Sequence, residues 1–386
     1  MTLCSGRDLY VHTNVPAIYR RHMFRLLQCS FAHSTFYFNE DGTGYAFWQK
    51  DVSAWGVTCV SNWYRFPRHG RMYFNVQSMK GLLRQRWGSV HLVASVSPIE
   101  MLALILSGLL GHSIVITWND GGFPDVECAR RSLRQKLLRW LWRKCCRGIF
   151  TPGEFGRKFA LSLGYKERQI VNAYFSHDVR MFSTYKRDRG TVKRKEVRDR
   201  HEIGASDFVI LSISRFLALK RLVDLAAALE IVDRTAPDLA EKCVLVLVGA
   251  GNDLAHEEIL ARLSAVTVIR VNQMSPETIM DYYCASDLFV FPSEGDIWGL
   301  VVNEALSMGV PVICADCIGA ANLVEDGFNG YRVPARNPIA IAKHILNLAK
   351  NRDKCEALGK NALTIANRWN SEMGVNALVN FVESCS

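Results

Sequence analysis

The stretch that decides the fold is Asp287–Pro334, DLFVFPSEGDIWGLVVNEALSMGVPVICADCIGAANLVEDGFNGYRVP. Asp287–Pro292 is short, apolar and aromatic-rich, which is the composition of a buried strand. Ser293–Trp298 is polar and contains a glycine, so it is a loop. Gly299–Met308 carries Leu300, Val301, Ala305, Leu306 and Met308 at helical spacing, and Gly309 with Pro311 just beyond is a helix stop. Val310–Ala315 is a second buried strand. Together they make a βαβ unit whose loop sits at a helix N-terminus. Open N–H groups and the helix dipole favour an anion there.

Two acids flank that terminus. Asp296 lies in the loop, and Glu304 lies eight residues later, inside the helix. Singly, an acid ahead of a helix is a capping device and a mid-helix glutamate is a solvated face. The combination is more specific. It resembles the C-terminal signature of the retaining GT-B glycosyltransferases of family 4, an acid, seven residues and a Glu that contact a nucleotide sugar. Asp296 stands where that family more often has Glu, and the carboxylate is kept. Trp298-Gly299-Leu300-Val301 matches the family's aromatic-Gly-aliphatic turn, and Asn303-Glu304-Ala305-Leu306 its helix.

The bulk properties set the frame. A length of 386 residues predicts two domains, and an apolar fraction of 49% supplies their cores. Met101–Ile116, the most apolar run, is interrupted by Ser107, Gly108, Gly111 and His112, so it reads as a buried helix and strand rather than a membrane span. The N-terminal MTLCSGRDLYVHTN has no apolar signal core, and a cytoplasmic protein is expected. The 12 cysteines form no framework, and the lone Cys314-Ala-Asp-Cys317 reads as reduced structural thiols.

Charge is informative by location. Residues 130–200 hold 21 Lys and Arg against 6 Asp and Glu, a net of +15 in a chain whose total is +10. One basic patch on an otherwise acidic chain argues against a coat for nucleic acid. It is compatible with anionic lipid or a phosphate-bearing acceptor. Within it, Arg130–Arg147 (RRSLRQKLLRWLWRKCCR) has a stripe of Leu133, Leu137, Leu138, Leu141 and Cys145, edged by Trp140 and Trp142. It reads as an interfacial helix on an anionic membrane surface, or as an ordinary helix packed on the first domain with a solvated basic face. Nucleic-acid binding calls for aromatics interleaved with the cations. Residues 185–200 offer only Tyr185, so no nucleic-acid partner is expected.

Along the first domain, strands Leu9–His12, Phe31–Phe38, Val90–Ser95, Ser113–Trp118, Gly148–Phe150 and Ile170–Ala173 alternate with helices Ala17–Gln28, Pro98–Leu110 and Gly153–Gly164. The turn holding Asn14, Pro16, Tyr19 and Arg20 resembles a family branch in which this loop lines the acceptor cleft. Acceptor-side candidates are Asn14, Arg20, His91 and Asp120. Arg20 reads equally as an exposed helical arginine, and His91 as a strand-interior residue. The aromatics of Glu40–Met72, among them Trp48, Trp55, Trp63, Tyr64 and Phe66, form either core under a long loop or a sugar or lipid platform. Tyr185–Ile203 is charged and without periodicity, and reads as a linker.

The second domain restarts the alternation at Phe208–Ser214, followed by Arg215 and Lys220 at the anion-binding edge of a parallel sheet. Val244–Val248 ends in Gly249-Ala250-Gly251, and Val266–Val271 exits at Asn272. The predicted layout is residues 1–184 with a returning C-terminal helix about 369–386, a basic linker 185–203, and a nucleotide-sugar-binding domain 204–368.

The family resemblance implies an α/β GT-B fold, two Rossmann-like domains facing each other across a cleft. It implies retaining transfer of a sugar from a UDP- or GDP-linked donor to a saccharide or lipid-linked acceptor, as in bacterial lipopolysaccharide, capsule or exopolysaccharide assembly. Asp296 would hold a sugar hydroxyl, Glu304 the ribose hydroxyls, and Arg215 with Lys220 the diphosphate. Gly249, Asn272 and the backbone of Trp298, Gly299, Leu300 and Val301 would complete the donor site. The chain contains no Asp-x-Asp, so fixed cations and a helix N-terminus take the place of a metal, and no metal or other cofactor is expected. Competing readings are a GT-B enzyme with a soluble acceptor or an epimerase, an inactive nucleotide-sugar-binding scaffold, and a basic binding protein.

Overall fold

The computed structural model describes residues 4–13, 18–38, 59–60, 63–65, 73–94, 98–119, 140–272 and 275–385. The chain divides into two units, Met1–His177 with Asn370–Ser386, and Asp178–Trp369.

In the first unit the described strands are β1 (Cys4–Thr13), β2 (Phe31–Phe38), β3 (Cys59–Val60), β4 (Trp63–Arg65), β5 (Tyr73–Asn75), β6 (Ser89–Val93), β7 (Ser113–Trp118), β8 (Cys146–Thr151) and β9 (Ile170–Asn172). Between them lie helices α1 (Arg21–Ser30), α2 (Val76–Arg84), α3 (Pro98–Leu109), α4 (140–145) and α5 (Gly153–Ser162). Strands β4 and β5 pair antiparallel on their own. The others form one parallel sheet in the order β3-β2-β1-β6-β7-β8-β9. The order reverses direction between β1 and β6. Leu9, Val11, Val90, Leu92, Ile114 and Ile116 are buried between layers, and Val375, Leu378 and Val382 of the last helix of the chain, Ser371–Ser384, pack on the same core.

The second unit has α6 (Val179–Arg200), β10 (Phe208–Ile213), α7 (Leu222–Thr235), α8 (Pro237–Ala240), β11 (Cys243–Val248), α9 (Glu257–Leu260) and β12 (Thr267–Val271). It continues with α10 (Pro276–Ala285), β13 (Leu288–Phe291), α11 (Leu300–Ser307), β14 (Val312–Ala315), β15 (Gly330–Val333), α12 (Pro338–Lys350) and α13 (Arg352–Arg368). Its parallel sheet runs β12-β11-β10-β13-β14-β15, reversing between β10 and β13. The runs FVILSI and CVLVLV are buried at every position, as expected of a parallel sheet covered on both faces. Each fully buried aliphatic or aromatic side chain contributes about 1.5–3 kcal/mol.

The predicted α/β class holds, and one predicted linker does not. Residues 185–203 belong almost wholly to α6, a 22-residue helix of the second unit. Asp178 caps it by accepting from the Met181 amide at 3.0 Å. The helix is docked through charge. Arg194 and Arg198 donate to Asp287 at 2.6 and 2.9 Å, and the Tyr185 hydroxyl donates to Asp281. The boundary between units therefore falls at His177, ahead of residue 184. Arg20 also departs from one of its readings. It is buried, donates to Thr13 Oγ1 at 3.0 Å, and lies 4.5 Å over the Trp118 ring. Asn14, Asp120, Trp48, Trp55, Phe66 and the 130–139 part of the basic helix lie outside the described residues.

Candidate active site

In a doubly wound sheet, ligands bind at the carboxyl ends of the strands where the order reverses. In the second unit that edge is the pair β10–β13, and the chain leaving each strand carries the predicted residues. The turn after β10 holds Arg215 and Lys220. The turn after β13 holds Ser293 to Gly299, and α11 follows with Glu304 in its second turn.

The two turns are stitched together. Glu294 N–H donates to Leu219 O at 2.9 Å, and Ser293 Oγ–H reaches both Leu219 O (3.2 Å) and Asp296 Oδ2 (2.7 Å). Lys220 Nζ donates to the same Asp296 oxygen at 2.5 Å. Lys220 and Asp296 are both mostly covered, with side chains 11% and 22% exposed. Gly295 has no side chain because Leu219 Cβ lies 2.8 Å from where a Cβ would stand. On the rim, the Arg336 guanidinium lowers the Glu294 carboxyl from its ordinary value, and Arg221 pairs with Asp224. Arg215 is exposed and has no ion-pair partner among the described residues.

The start of α11 is open. Gly299 is the N-cap residue with φ +95°, a conformation that favours glycine. The Val302 amide turns back to Gly299 O at 2.9 Å, whereas those of Gly299, Leu300 and Val301 find no acceptor among the described residues. Trp298 is buried: its indole N–H donates to Asn303 Oδ1 at 2.7 Å, and its ring stacks on Trp369 at 5.4 Å. Its side chain is thus the floor of the turn, leaving backbone to face a ligand.

Glu304 is set apart by its surroundings. Burial pushes its carboxyl up to about 7, opposed by the Tyr283 hydroxyl, which donates to Oε2 at 3.0 Å. That phenol is fully buried and also reaches Val301 O at 3.1 Å. A pair of carboxylates with divided tasks results: Asp296 bound to an ammonium, Glu304 bound to a neutral phenol.

The remaining predicted donor residues are peripheral to this hub. Gly249 has its amide committed to Val271 O at 3.0 Å, and an added Cβ would fall 1.8 Å from Ser214 O. Its smallness seats the turn after β11 against the one carrying Arg215. Asn272 is exposed just past β12. In the first unit, His91 lies inside β6 and is buried, so it is a strand-interior residue. His91 Nδ1 lies 3.1 Å from His12 Nε2, and its Nε2 lies 2.5 Å from Gln85 Oε1. Sequence reasoning missed Ser293 and Tyr283, which hold the two acids; Ser293 is local, three residues before Asp296, whereas nothing local marks Tyr283, which lies 21 residues before Glu304. Among the described residues, no group of three or more His, Cys, Asp or Glu is arranged to hold a metal ion.

Known proteins are similar in two ways. Residues 193–364 match the family of glycosyl transferases group 1. A D-inositol 3-phosphate glycosyltransferase of Thermobispora bispora is 32% identical over 170 residues, covering 42% of this chain and 39% of the relative. One from Streptomyces coelicolor is 29% identical over 193 residues, covering 48% and 42%. The matched stretch thus spans well under half of these curated relatives. Among solved structures, HepE of Anabaena in complex with UDP has a TM-score of 0.74 at 16% identity over 98% of this chain and 100% of that one. WaaG, a glycosyltransferase involved in lipopolysaccharide biosynthesis, has a TM-score of 0.66 at 14% identity over 97% and 99%. The fold is that of these GT-B neighbours, and residues 193–364 of its second unit match glycosyl transferases group 1.

Proposed function

Starting from that group 1 domain, we propose that the chain transfers a sugar from a UDP-linked donor to a saccharide or lipid-linked acceptor, with retention of anomeric configuration. The observation that carries the reading is the convergence of Lys220, Asp296 and the open start of α11 at the edge where the β10–β13 order reverses. UDP is favoured over GDP because HepE was solved with both UDP and UDP-glucose.

The chemistry follows from charge. As the bond from the anomeric carbon to the diphosphate oxygen breaks, negative charge grows on the leaving group. The amides of Gly299–Val301, the helix dipole, Arg215 and the Lys220 ammonium receive it. Fixed donors in a partly covered site need no reorganisation, which is where such stabilisation is strongest. Lys220 then exchanges Asp296 for phosphate, and Asp296 is released to accept a hydrogen bond from a sugar hydroxyl. Glu304, as a carboxylate, accepts from the ribose hydroxyls. The acceptor oxygen attacks the face the diphosphate leaves, and the leaving phosphate takes its proton. In this reading cations do the work of a metal.

On the acceptor side, the described end of the basic segment supports a peripheral role at the cytoplasmic face of a membrane. Trp140 is 49% exposed, with Lys144 5.8 Å above its ring. A soluble phosphorylated polyol is the second reading, favoured by the names of the relatives in sequence.

The test is a thermal-shift panel of UDP- and GDP-sugars, followed by transfer assays with chelator present. A UDP-sugar that raises Tm and is turned over in the presence of chelator, giving a product whose anomeric proton coupling matches the donor, supports the reading. Absence of nucleotide-sugar binding sinks it. Adding isolated membranes in one arm and inositol phosphate in another assigns the acceptor class.

A further inference from the structure

We infer that the second unit has a separate binding pocket for a phosphate-bearing small molecule, at the opposite edge of its sheet from Lys220 and Asp296. A cavity of about 550 Å³ opens there, a volume suited to a small organic ligand. Its walls come from α6, from the residues just before β13 and β14, and from the first turn of α13.

Charge decides what it takes. Asp287, at the floor, receives Arg194 (2.6 Å), Arg198 (2.9 Å) and Arg352 (3.2 Å). One carboxylate balances one of these three guanidinium groups. Arg198 is sealed in, with 5% of its side chain exposed, while Arg194 and Arg352 keep 34% and 38%. Lys186 adds a fourth cation and has no hydrogen-bond or ion-pair partner among the described residues. Its stem runs forward along α6 over Gly190, where an added Cβ would stand 3.0 Å from Lys186 Cδ. The exposed Glu356 and the carbonyl ends of α10, which Arg194 caps, offset part of this excess. Of the lining residues, Lys186, Arg194 and Arg352 against Asp287 and Glu356 still leave the cavity positive.

A clamp that only locked α6 and α13 to the sheet would need neither a cavity nor an unpaired lysine. Guanidinium forks flanking an ammonium are the donor set that recognises phosphate oxygens. The phosphate is carried either by a soluble metabolite or by a lipid headgroup. This pocket does not depend on the transfer reaction proposed above, since none of its lining residues belongs to that site.

Pyrophosphate titration by calorimetry tests the pocket, with Arg215→Ala/Lys220→Ala to remove the other anion site. That double variant is expected to retain one pyrophosphate site. Adding Lys186→Glu is expected to weaken it at least tenfold, with Lys186→Gln intermediate and both variants keeping the circular dichroism of the parent. Cosedimentation with phosphatidylcholine vesicles, with and without phosphatidic acid, separates the sources. Binding of phosphatidic acid alone, lost in Lys186→Glu, assigns a lipid headgroup. The proposal is overturned if the double variant binds neither pyrophosphate nor phosphatidic acid, or if both Lys186 variants bind as their parent does.

Discussion

Lys220 Nζ and Asp296 Oδ2 lie 2.5 Å apart although 76 residues separate them in sequence. With Ser293 on the same oxygen, the pair joins the turn after β10 to the turn after β13. It also means that each residue's charge is spent on the other until a ligand arrives. Replacing either leaves a mostly covered partner without its counter-charge and should cost about 1–3 kcal/mol of stability. Turnover should fall by roughly 10²-fold or more, the usual loss when a fixed charge aimed at a leaving group or substrate is removed. Asp296→Ala and Lys220→Ala, assayed for transfer and for Tm, check this. Full activity in both would dispose of the assignment.

Glu304 gives a pH signature of its own. Its carboxyl is raised to about 7 by burial. Between its ordinary value and about 7, the folded chain therefore holds a proton that the unfolded chain has lost. Stability from this group is present at the acid end of that window and is lost as pH rises through it, by an amount on the order of 3 kcal/mol. Glu304→Gln should thus gain Tm relative to the parent at pH 8 and not at pH 4.5. Nucleotide affinity should move the other way. Ribose hydroxyls need the carboxylate, so UDP should bind more tightly above about pH 7 in the parent and show no such step in Glu304→Gln. Calorimetry across pH reads both arms.

How much of this was legible in the sequence depends on what holds each element. β13 and β14 were found because their apolar runs and the flanking Ser, Pro and Gly signals are local. The pairing of acid and glutamate around α11 was legible for the same reason. α6 was not, because a helix is usually recognised by an apolar stripe, and its apolar buried residues are only Val179, Phe182 and Val197. Its docking energy comes from Arg194, Arg198 and Tyr185 reaching acids about 90 residues away. Charge at such separation carries no local period. Arg20 misleads for a related reason. A helical arginine is ordinarily solvated, yet here the Trp118 face and the Thr13 hydroxyl cover it.

The Asp287 cluster predicts a steep loss of stability. Asp287→Ala would leave Arg198, almost fully enclosed, without its carboxylate, and the Val209 amide without the acceptor it has at 2.8 Å. Breaking a buried pair by removing one partner typically costs about 3–5 kcal/mol. A urea midpoint shifted by less than a third of that equivalent would show that the Arg198 guanidinium is satisfied by Ala285 O, Gly204 O and Asp207 O alone.

The buried histidines of the first unit predict its response to acid. Gln85 Oε1 can only accept, so His91 Nε2 carries the proton, His91 Nδ1 accepts from His12 Nε2–H, and His12 Nδ1 accepts from the Ser78 hydroxyl. Both rings are then neutral, sandwiched with Tyr10 and Tyr37. Burial lowers His12 to about 3, His177 to about 3, and His91 well below its ordinary value. As pH falls below about 6.5 the unfolded chain takes up protons that the folded rings refuse, so stability falls by up to ~1.4 kcal/mol per pH unit for each histidine. Three such groups outweigh the opposite slope from the single Glu304. The Tm of the whole chain should therefore drop between pH 6.5 and 5. His91→Gln, which keeps a side chain able to hydrogen-bond Gln85, should flatten that drop while lowering Tm at pH 8. A parent Tm that is flat across this range would mean that the rings titrate freely, and that the Ser78–His12–His91–Gln85 chain does not fix their protons.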